Sequence, residues 1–375
     1  MSFHVLRHID WLLLGAAALI VSVGLVTMYS FRGENIFFAR QIVWGAGAIT
    51  MACALSFIDF HFLRRPGVLV GLFGAFCVLL LFLIFFGTSV RGVQSWLDLG
   101  SFRVQPADPA KLVLILLLAK YFSRRHIEIA HVRHILVSGF YAGVLFLLVL
   151  LQPDFGSAII IASLWLGMVA ISGISKRHLA LVLATGLLGA STLWLFVFED
   201  YQRARLVSFL NPMADLQGAG YNAYQSVVAI GSGGLFGKGI GFGSQSRLRF
   251  LPEYETDFIF AAFAEEWGFI GVVMLCALFA IIIWRLLRAS IRGATNFETL
   301  FAAGLAVLIM SHATVHIGMN LGLLPVTGTP LPFMSYGGSH LFTEFIGIGI
   351  LMGMRRYGRA THRSELAREE VDVTP

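Results

Sequence analysis

The stretch DWLLLGAAALIVSVGLVTMYS, residues 10–30, decides the fold class, because it is apolar for long enough to cross a lipid bilayer. A membrane-spanning helix needs about 20 apolar residues. Similar apolar blocks recur along the whole chain, in which 57% of the residues are hydrophobic and 13% are charged. These proportions lie outside the usual range of soluble domains. The sequence therefore predicts an all-α polytopic membrane protein.

The apolar blocks predict about ten transmembrane helices in a single membrane domain that covers residues 1–375. The longest connection, residues 199–256, lies between spans 7 and 8 and predicts one large loop. The predicted spans are residues 10–30, 36–57, 67–87, 109–122, 135–151, 156–172, 179–198, 257–284, 297–322 and 337–354.

Basic residues mark alternate connections between the spans, and this bias sets the predicted orientation. Arg64 and Arg65 fall in one such connection, and membrane proteins keep connections of this kind in the cytoplasm. Both termini, including a short tail at 355–375, are therefore predicted to be cytoplasmic, and the loop 199–256 extracytoplasmic. Because the basic charge follows membrane topology, it does not indicate binding to nucleic acid.

The sequence contains no motif for an organic cofactor. The glycine run at 231–239 differs from the phosphate-binding loop of nucleotide enzymes, because Ser232 and Gly239 replace the first glycine and the final hydroxyl residue of that motif. His312 and His316 lie four residues apart on one helical face. No third ligand accompanies them, so hydrogen bonding between helices is favoured over zinc binding.

The loop 199–256 combines glycines with cations. Its glycine run is followed by Lys238, Arg247 and Arg249, and a glycine-rich backbone beside basic side chains can hold an anion. A flexible polar loop with scattered cations is the alternative interpretation. Short connections outside the membrane usually lack basic residues, but long loops do not follow this bias. The cations are therefore compatible with both interpretations.

Three acids close this loop in the segment FLPEYETDFIF, residues 250–260. They are Glu253, Glu255 and Asp257, and the last lies at the start of an apolar helix. Asp257 could simply cap that helix, or it could act as a catalytic carboxylate facing the outer side of the membrane. The residues alone favour neither interpretation.

Small residues continue below Asp257 on the same helical face. Ala261, Ala264 and Gly268 follow at intervals of four, seven and eleven residues from the acid. Such a stripe indicates either close packing against another segment or a smooth groove that admits a lipid tail while the acid meets the head group.

Two further groups near the outer side have a structural and a functional interpretation. Lys111 follows Asp108 by three residues, which predicts an ion pair that braces a short helix; alternatively, Lys111 faces a cavity and meets an anionic ligand. Arg91 and Trp96 are residue types that hold phosphates and sugars, although Trp96 is also typical of the interfacial aromatic belt.

The proline-rich stretch 324–332 cannot be regular helix and predicts an adjoining cavity.

Several ordered motifs together resemble the SEDS family of cell-wall proteins. The motifs are GYNAYQSVVAIGSGGLFGKG at 220–239, FLPEYETDFIF at 250–260, the pair Glu265–Glu266, and LLPVTGTPLPFMSYGGS at 323–339. The segments DWLL at 10–13 and PFMSY at 332–336 are more similar to the elongation members of the family than to the division members. The resemblance runs from about residue 9 to residue 355. His340 and Glu344 depart from the small or apolar residues that are usual after the last motif, and QPAD at 105–108 departs from the usual QPSE-like segment.

This resemblance implies a peptidoglycan glycosyltransferase that polymerises lipid II outside the bacterial cytoplasmic membrane during cell elongation. Asp257 matches the family's required aspartate and is expected to be the general base, or else the ligand of a divalent cation such as Mg²⁺ or Mn²⁺. Glu253 and Glu255 are supporting acids. The residues expected to bind the pyrophosphate and the rest of the substrate are Arg205, Lys238, Arg247, Arg249, Lys111, Arg91 and Trp96.

The resemblance also implies partners. A class B penicillin-binding protein, which crosslinks the new glycan, is expected to join the chain together with other membrane proteins of the elongation complex. The same sequence features are compatible with two other classes of function. One is a lipid II flippase, and the other is a scaffold of the cell-wall machinery without catalytic activity.

Overall fold

The computed structural model describes residues 9–30, 36–65, 67–90, 93–98, 100, 103–123, 132–196, 203, 209, 219–248, 250, 251 and 253–372. Helices dominate this part of the chain. They are α1 (Trp11–Ser30), α2 (Ile36–Leu55), α3 (Val68–Phe86), α4 (Ala107–Ser123), α5 (Val132–Leu150), α6 (Phe155–Ile171), α7 (Lys176–Phe196), α8 (Ala219–Ser232), α9 (Ser244–Arg247), α10 (Ile259–Ile291), α11 (Asn296–Asn320) and α12 (Gly338–Asp372).

The predicted fold class is confirmed, and each predicted span coincides with a helix. Among the described residues, 7 helices are long and apolar enough to cross a membrane: α1, α2, α3, α5, α7, α10 and α11. The helix α6 is apolar but shorter. The helix α4 carries charged residues at both ends. The chain is therefore a multi-pass membrane protein.

The helix α11 lies at the centre of the bundle and α7 at its edge. In α11, 78% of the apolar window is buried, and the helix contacts α10, α6 and α4. In α7, the buried share is 6%. The core therefore forms around α11, while α7 presents nearly all of its apolar surface to the surroundings of the protein.

The predicted outer segment between α3 and α4 contains a small antiparallel sheet that was not predicted from the sequence. Its strands are β1 (Thr88–Val90), β2 (Val93–Asp98) and β3 (Arg103–Val104), in the order β1-β2-β3. Thr88 pairs with Trp96, and Leu97 pairs with Val104. This pairing leads the chain into α4 and sets the position of Trp96.

The segment 199–256, predicted as a loop, contains two helices. The helix α8 packs against α10 and α11, and the single turn of α9 packs on α8. Arg205 and Arg249 lie outside the described residues. The segment is thus folded onto the bundle over much of its second half.

A break divides α10, and the glycine run fills it. Gly268 has a φ of 68° and a ψ of −169°, a conformation that only glycine adopts readily. The amides of Phe269 and Ile270 donate to the carbonyls of Gly234 and Leu235, at 2.9 and 3.2 Å. A regular helix would instead use the carbonyls four residues earlier in α10.

Those earlier carbonyls are also taken by the glycine run. The carbonyl of Glu265 accepts from the Lys238 amide at 2.9 Å, and the carbonyl of Glu266 accepts from the Gly239 amide at 3.0 Å. Residues 234–239 therefore replace hydrogen bonds that α10 would otherwise make with itself. The break separates a short helical piece, residues 259–267, from a longer one, residues 269–291.

The small-residue stripe below Asp257 is a packing surface. Ala261 is 0% exposed and Ala264 is 2% exposed, and a Cβ atom added at Gly233 would lie 2.2 Å from the carbonyl oxygen of Ala264. The expectation of an open groove for a lipid tail is wrong here, because the backbone of the glycine run occupies the face. The alternative of close packing is confirmed.

A charged cluster joins three helices at the end of the bundle predicted to face the cytoplasm. Asp10, just before α1, accepts from Arg285 of α10 at 2.6 and 3.1 Å, and Arg355 of α12 lies 3.3 Å from the same carboxylate. Arg355 begins the predicted tail. In the structure this tail continues α12 as helix as far as Asp372.

Candidate active site

A polar cavity of about 200 Å³ lies where the first turns of several helices meet. Asp108 comes from the start of α4, Asp154 from the turn before α6, Asp257 from the turn before α10, and His340 from the start of α12. The remaining lining residues are Trp96, Gln105, Pro153, Phe155, Thr256, Thr327, Gly328, Pro330, Tyr336, Gly337 and Ser339. The predicted cavity beside the proline-rich stretch is therefore present.

The electrostatics of this cavity combine three carboxylates with the amino-terminal ends of helices. A helix carries about half a positive charge at its amino terminus, which favours anions nearby. Here Asp108, Asp154 and Asp257 lie at three such termini. The site can thus hold carboxylates for proton transfer while backbone dipoles offset their negative charge.

Asp257 is half-buried and faces the glycine of the proline-rich stretch. A Cβ atom added at Gly328 would lie 3.6 Å from Asp257 Oδ2, and Gly328 has a φ of 73°. The wall opposite the carboxylate is therefore backbone without a side chain. Asp257 is not the cap of α10, because Phe258 occupies that position.

Glu253 and Glu255 shape the turn that carries Asp257, and neither is among the residues that line the cavity. Glu253 has a positive φ of 52°, and its carbonyl accepts from the amides of Thr256 and Phe258, both at 3.1 Å. The carbonyl of Glu255 accepts from the Tyr336 amide at 2.9 Å. The role of their carboxylates as supporting acids stays a prediction.

Lys111 and Asp108 form a buried ion pair, with 3.0 Å between Lys111 Nζ and Asp108 Oδ1. Asp108 lines the cavity and Lys111 is not among the lining residues. Lys111 is 2% exposed, so it lies behind Asp108 as seen from the cavity. The arrangement matches the bracing interpretation, and direct contact of Lys111 with an anionic ligand stays a prediction.

His340 and Glu344, which depart from the family pattern, extend this cluster. His340 Nδ1 lies 3.8 Å from Asp108 Oδ1, and His340 Nε2 lies 2.9 Å from Glu344 Oε1. Glu344 Oε2 also accepts from the Phe333 amide at 2.8 Å, where Phe333 has a φ of 61°. No pattern in the sequence indicated that His340 lies at the site, because the cavity wall is built from residues distant along the chain.

Asp154 caps α6 and also contributes to the cavity. One carboxylate oxygen accepts from the Ser157 amide at 3.0 Å, and the other accepts from Gln105 Nε2 at 2.6 Å. The sequence indicated the cap alone. A signal for the second role existed, since Asp108, Asp154 and Asp257 each stand at the predicted outer start of a span.

The glycine-rich segment does hold an anion, and that anion is Glu265. Its carboxylate accepts from the Ser244 amide at 2.8 Å and from the Gln245 amide at 3.2 Å. Lys238 Nζ lies 2.7 Å from the same group, and Glu265 is 0% exposed. Lys238 and the amides that follow the glycine run therefore bind a carboxylate of the protein itself, and the binding of a substrate anion by this segment stays a prediction.

The other predicted substrate-binding residues are spread over the molecule. Trp96 lines the cavity beside Asp108 and Asp154. Arg247 is exposed on α9 and is not among the lining residues. Arg91, Arg205 and Arg249 lie outside the described residues. Lys238 Nζ also donates to Ser244 Oγ at 2.8 Å, and pyrophosphate binding by Lys238 stays a prediction.

A divalent cation at Asp257 also stays a prediction. Within the described part of the chain, no group of three or more histidine, cysteine, aspartate or glutamate side chains has the arrangement of a metal site. Asp257 could still share a cation with a phosphate of the substrate, since Mg²⁺ is commonly held by one or two carboxylates and by phosphate oxygens.

A second, apolar cavity of about 950 Å³ lies among α5, α6 and α7. Its walls include Gly139, Phe146, Trp165 and Trp194. Phe155 lines both this cavity and the polar one. The polar cavity and the apolar cavity therefore meet at Phe155.

The buried ion pair of α4 gives a prediction about stability. We expect Lys111→Met to lower the free energy of unfolding by about 3–5 kcal/mol, because it leaves Asp108 buried without its charged partner. Lys120→Met is the matched control on the same helix. Lys120 donates to the backbone carbonyls of Leu63 and Arg65, where water can replace its hydrogen bonds, so its loss should cost clearly less than that of the fully buried Lys111. Equal losses in denaturant titrations of the two purified variants would contradict the prediction.

Comparisons with known proteins give consistent results. The family model described as "Cell cycle protein", which covers FtsW, RodA and SpoVE, matches residues 4–360. The peptidoglycan glycosyltransferase MrdB of Escherichia coli K12 is 40% identical over 300 residues, which are 78% of each chain. A chain of a peptidoglycan synthase complex, solved to explain the coordination of polymerization and crosslinking, superposes with a TM-score of 0.80 at 31% identity. The alignment covers 93% of this chain and 98% of that one.

A second solved structure gives the same result. The rod shape determining protein RodA of Thermus thermophilus superposes with a TM-score of 0.70 at 30% identity, over 93% of this chain and 97% of that one. The similarity therefore extends over nearly the whole chain in both sequence and structure.

Proposed function

Because the chain belongs to the FtsW, RodA and SpoVE family, also called SEDS, we propose that it is a peptidoglycan glycosyltransferase that polymerises lipid II during cell elongation. The reaction is proposed to take place at the outer face of the bacterial cytoplasmic membrane, with both termini of the chain in the cytoplasm. The relatives named as peptidoglycan glycosyltransferases support the activity, and the polar cavity supplies a place for it.

The proposed chemistry is a single inverting displacement. A sugar hydroxyl of the acceptor attacks the anomeric carbon of the donor, and the bond from that carbon to undecaprenyl pyrophosphate breaks. Asp257 accepts the hydroxyl proton as the general base, which requires a carboxylate within hydrogen-bond reach of the acceptor. Its half-buried position in the wall of the cavity suits that role.

The observation that carries this proposal is the common wall of the two cavities. Lipid II joins a polar saccharide to a long apolar chain, and Phe155 lines both a polar cavity of about 200 Å³ and an apolar one of about 950 Å³. The saccharide would lie beside Asp257, with Trp96 as an aromatic surface for a sugar. The polyprenyl chain would lie among α5, α6 and α7.

The departing pyrophosphate needs positive charge. The cations proposed to supply it are Arg205, Lys238, Arg247, Arg249 and Lys111, with Arg91 as a further substrate contact, and a divalent cation held by Asp257 is the alternative.

A class B penicillin-binding protein is the proposed partner, because a structural relative belongs to a complex that coordinates polymerization and crosslinking. Other membrane proteins of the elongation complex are proposed to associate as well. The partner would supply the crosslinking activity for the glycan that this chain makes.

Polymerisation of labelled lipid II by the purified protein tests the proposed function. We expect glycan strands to form with the protein alone or with a class B penicillin-binding protein whose crosslinking site is inactivated. Movement of labelled lipid II across liposomes without polymer would indicate a flippase instead. Absence of both activities in a folded preparation with the partner present would indicate a scaffold.

A further inference from the structure

Asn320, the last residue of α11, has a fully buried side chain that contacts three other segments. Its Nδ2 donates to the carbonyl of Asp257 at 3.0 Å and to the carbonyl of His316 at 2.8 Å. Its Oδ1 accepts from the Ala261 amide at 3.3 Å. Ser226 Oγ donates to the backbone carbonyl of Asn320 at 2.8 Å and lies 3.3 Å from Oδ1. Both amide hydrogens and the oxygen that faces Ala261 are therefore used.

The orientation of this amide follows from its partners. The carbonyls of Asp257 and His316 can only accept hydrogen bonds, and the amide of Ala261 can only donate one. An exchange of Nδ2 with Oδ1 would place acceptor against acceptor and donor against donor. The contacts thus fix which end of the side chain faces Asp257.

The side-chain amide of Asn320 takes the place of one backbone hydrogen bond at the start of α10. In a regular helix the carbonyl of Asp257 would accept directly from the amide of Ala261, four residues later. Here the Asn320 side chain lies between the two groups and satisfies each of them. The first regular bond of this kind runs from the Ala262 amide to the Phe258 carbonyl, at 3.1 Å. Asp257 therefore stays outside α10.

The two preceding carbonyls are held as well, by residues next to the cavity. The carbonyl of Thr256 accepts from Ser335 Oγ at 2.8 Å, and that of Glu255 accepts from the Tyr336 amide at 2.9 Å. Three successive carbonyls thus bind three different donors. Asn320 holds the one that belongs to Asp257 itself, and it is not among the residues that line the cavity.

We propose that Asn320 is a positioning residue for Asp257, which keeps this residue outside the first turn of α10 so that its carboxylate faces the cavity beside Gly328. The role rests on the proposed function, in which Asp257 is the base. Without the amide, the Asp257 carbonyl and the Ala261 amide would either stay unpaired or bond to each other. The second outcome would extend the helix and turn the carboxylate away from its present direction.

The kinetic consequence is specific. A misplacement of about 1 Å at a reacting group can lower the rate by about 100-fold. We therefore expect Asn320→Ala to lower kcat about 10-fold to 100-fold. The KM for lipid II should change less than about 2-fold, because Asn320 does not line the cavity and a change confined to the chemical step leaves ground-state binding intact.

The experiment compares the full-length wild type with Asn320→Ala, Asn320→Ser and the control His134→Ala, using labelled lipid II and thermal unfolding in the same detergent. His134 is also buried and joins two helices through the Tyr121 hydroxyl, at 2.8 Å, at the end of α4 opposite to Asp108. The control should lower the melting temperature without lowering kcat. Asn320→Ser can still donate to one carbonyl and should give a kcat between those of the wild type and Asn320→Ala.

Three results would overturn the proposal. One is a folded Asn320→Ala protein with wild-type kcat, and another is a fall in kcat that His134→Ala reproduces at an equal loss of melting temperature. The third is failure of both Asn320 variants to fold, which would make Asn320 a stability element instead. An Asp257→Asn protein measured in the same series distinguishes failure of the proposed base from failure of the positioning role. If Asp257→Asn keeps wild-type activity, Asp257 is not the base, whatever the Asn320 variants show.

Discussion

Asp257→Asn is expected to abolish detectable polymerisation of lipid II by the purified protein. Removal of a general base costs about 100-fold to 10,000-fold in rate. The substitution keeps the size of the side chain, and the hydrogen bond from Asn320 goes to the backbone carbonyl of residue 257. The variant should therefore fold like the wild type and fail in chemistry. Initial rates of polymer formation at saturating lipid II give the measurement.

The control for this variant is Asp59→Asn. Asp59 is an exposed acid between α2 and α3, on the side predicted to face the cytoplasm, and its carboxylate contacts His61 at 2.5 Å. Its loss should leave the rate of polymerisation unchanged. A folded Asp257→Asn protein that polymerises lipid II at the wild-type rate would exclude Asp257 both as base and as the ligand of an essential cation.

Gly268→Ala is expected to destabilise the protein strongly. A Cβ atom at this position would lie 2.2 Å from the Gly237 amide nitrogen and 2.6 Å from the Phe236 carbonyl carbon. Neither backbone atom can move without loss of the bonds that join residues 234–239 to α10. The strained backbone adds about 1–3 kcal/mol, and the steric overlap adds about as much again. We expect the purified variant to be unfolded or to melt far below the wild type.

Gly74→Ala is the matched control, because Gly74 lies in α3 and a Cβ atom there would have no neighbour within 4 Å. Alanine favours a helix over glycine by about 1 kcal/mol, so this variant should melt at or slightly above the wild-type temperature. Equal melting temperatures for Gly268→Ala and the wild type would show that the break in α10 tolerates a side chain.

The sequence predicted the helices well because each depends on local composition. A stretch such as residues 10–30 is apolar for the width of a bilayer whatever its neighbours are. The ion pair of Lys111 with Asp108 could also be predicted, because their spacing of three residues places them on one face of the same helix. The family resemblance added the expectation that Asp257 is the reactive carboxylate.

The parts that the sequence did not predict depend on contacts between distant segments. The glycine run looked like a loop that could hold a phosphate, and its spacing gave no indication that it would bond to the backbone of α10. His340 joins the site because α12 begins beside α4, and no pattern in the local sequence indicates that the two helices are neighbours. The sheet β1-β2-β3 was missed because its strands are too short for alternation to be visible.

The break at Gly268 has a mechanical consequence for the membrane helix that follows it. A spanning helix changes its tilt when the bilayer becomes thicker or thinner. In α10 the regular bonds that would transmit such a tilt from residues 269–291 to residues 259–267 are replaced by bonds to another segment. The first piece is tied to α11 through Asn320 instead. Residues 234–239 bond to both pieces of α10, so a change of tilt in the membrane piece is expected to reach the first piece through the glycine run, against the hold of Asn320 on α11.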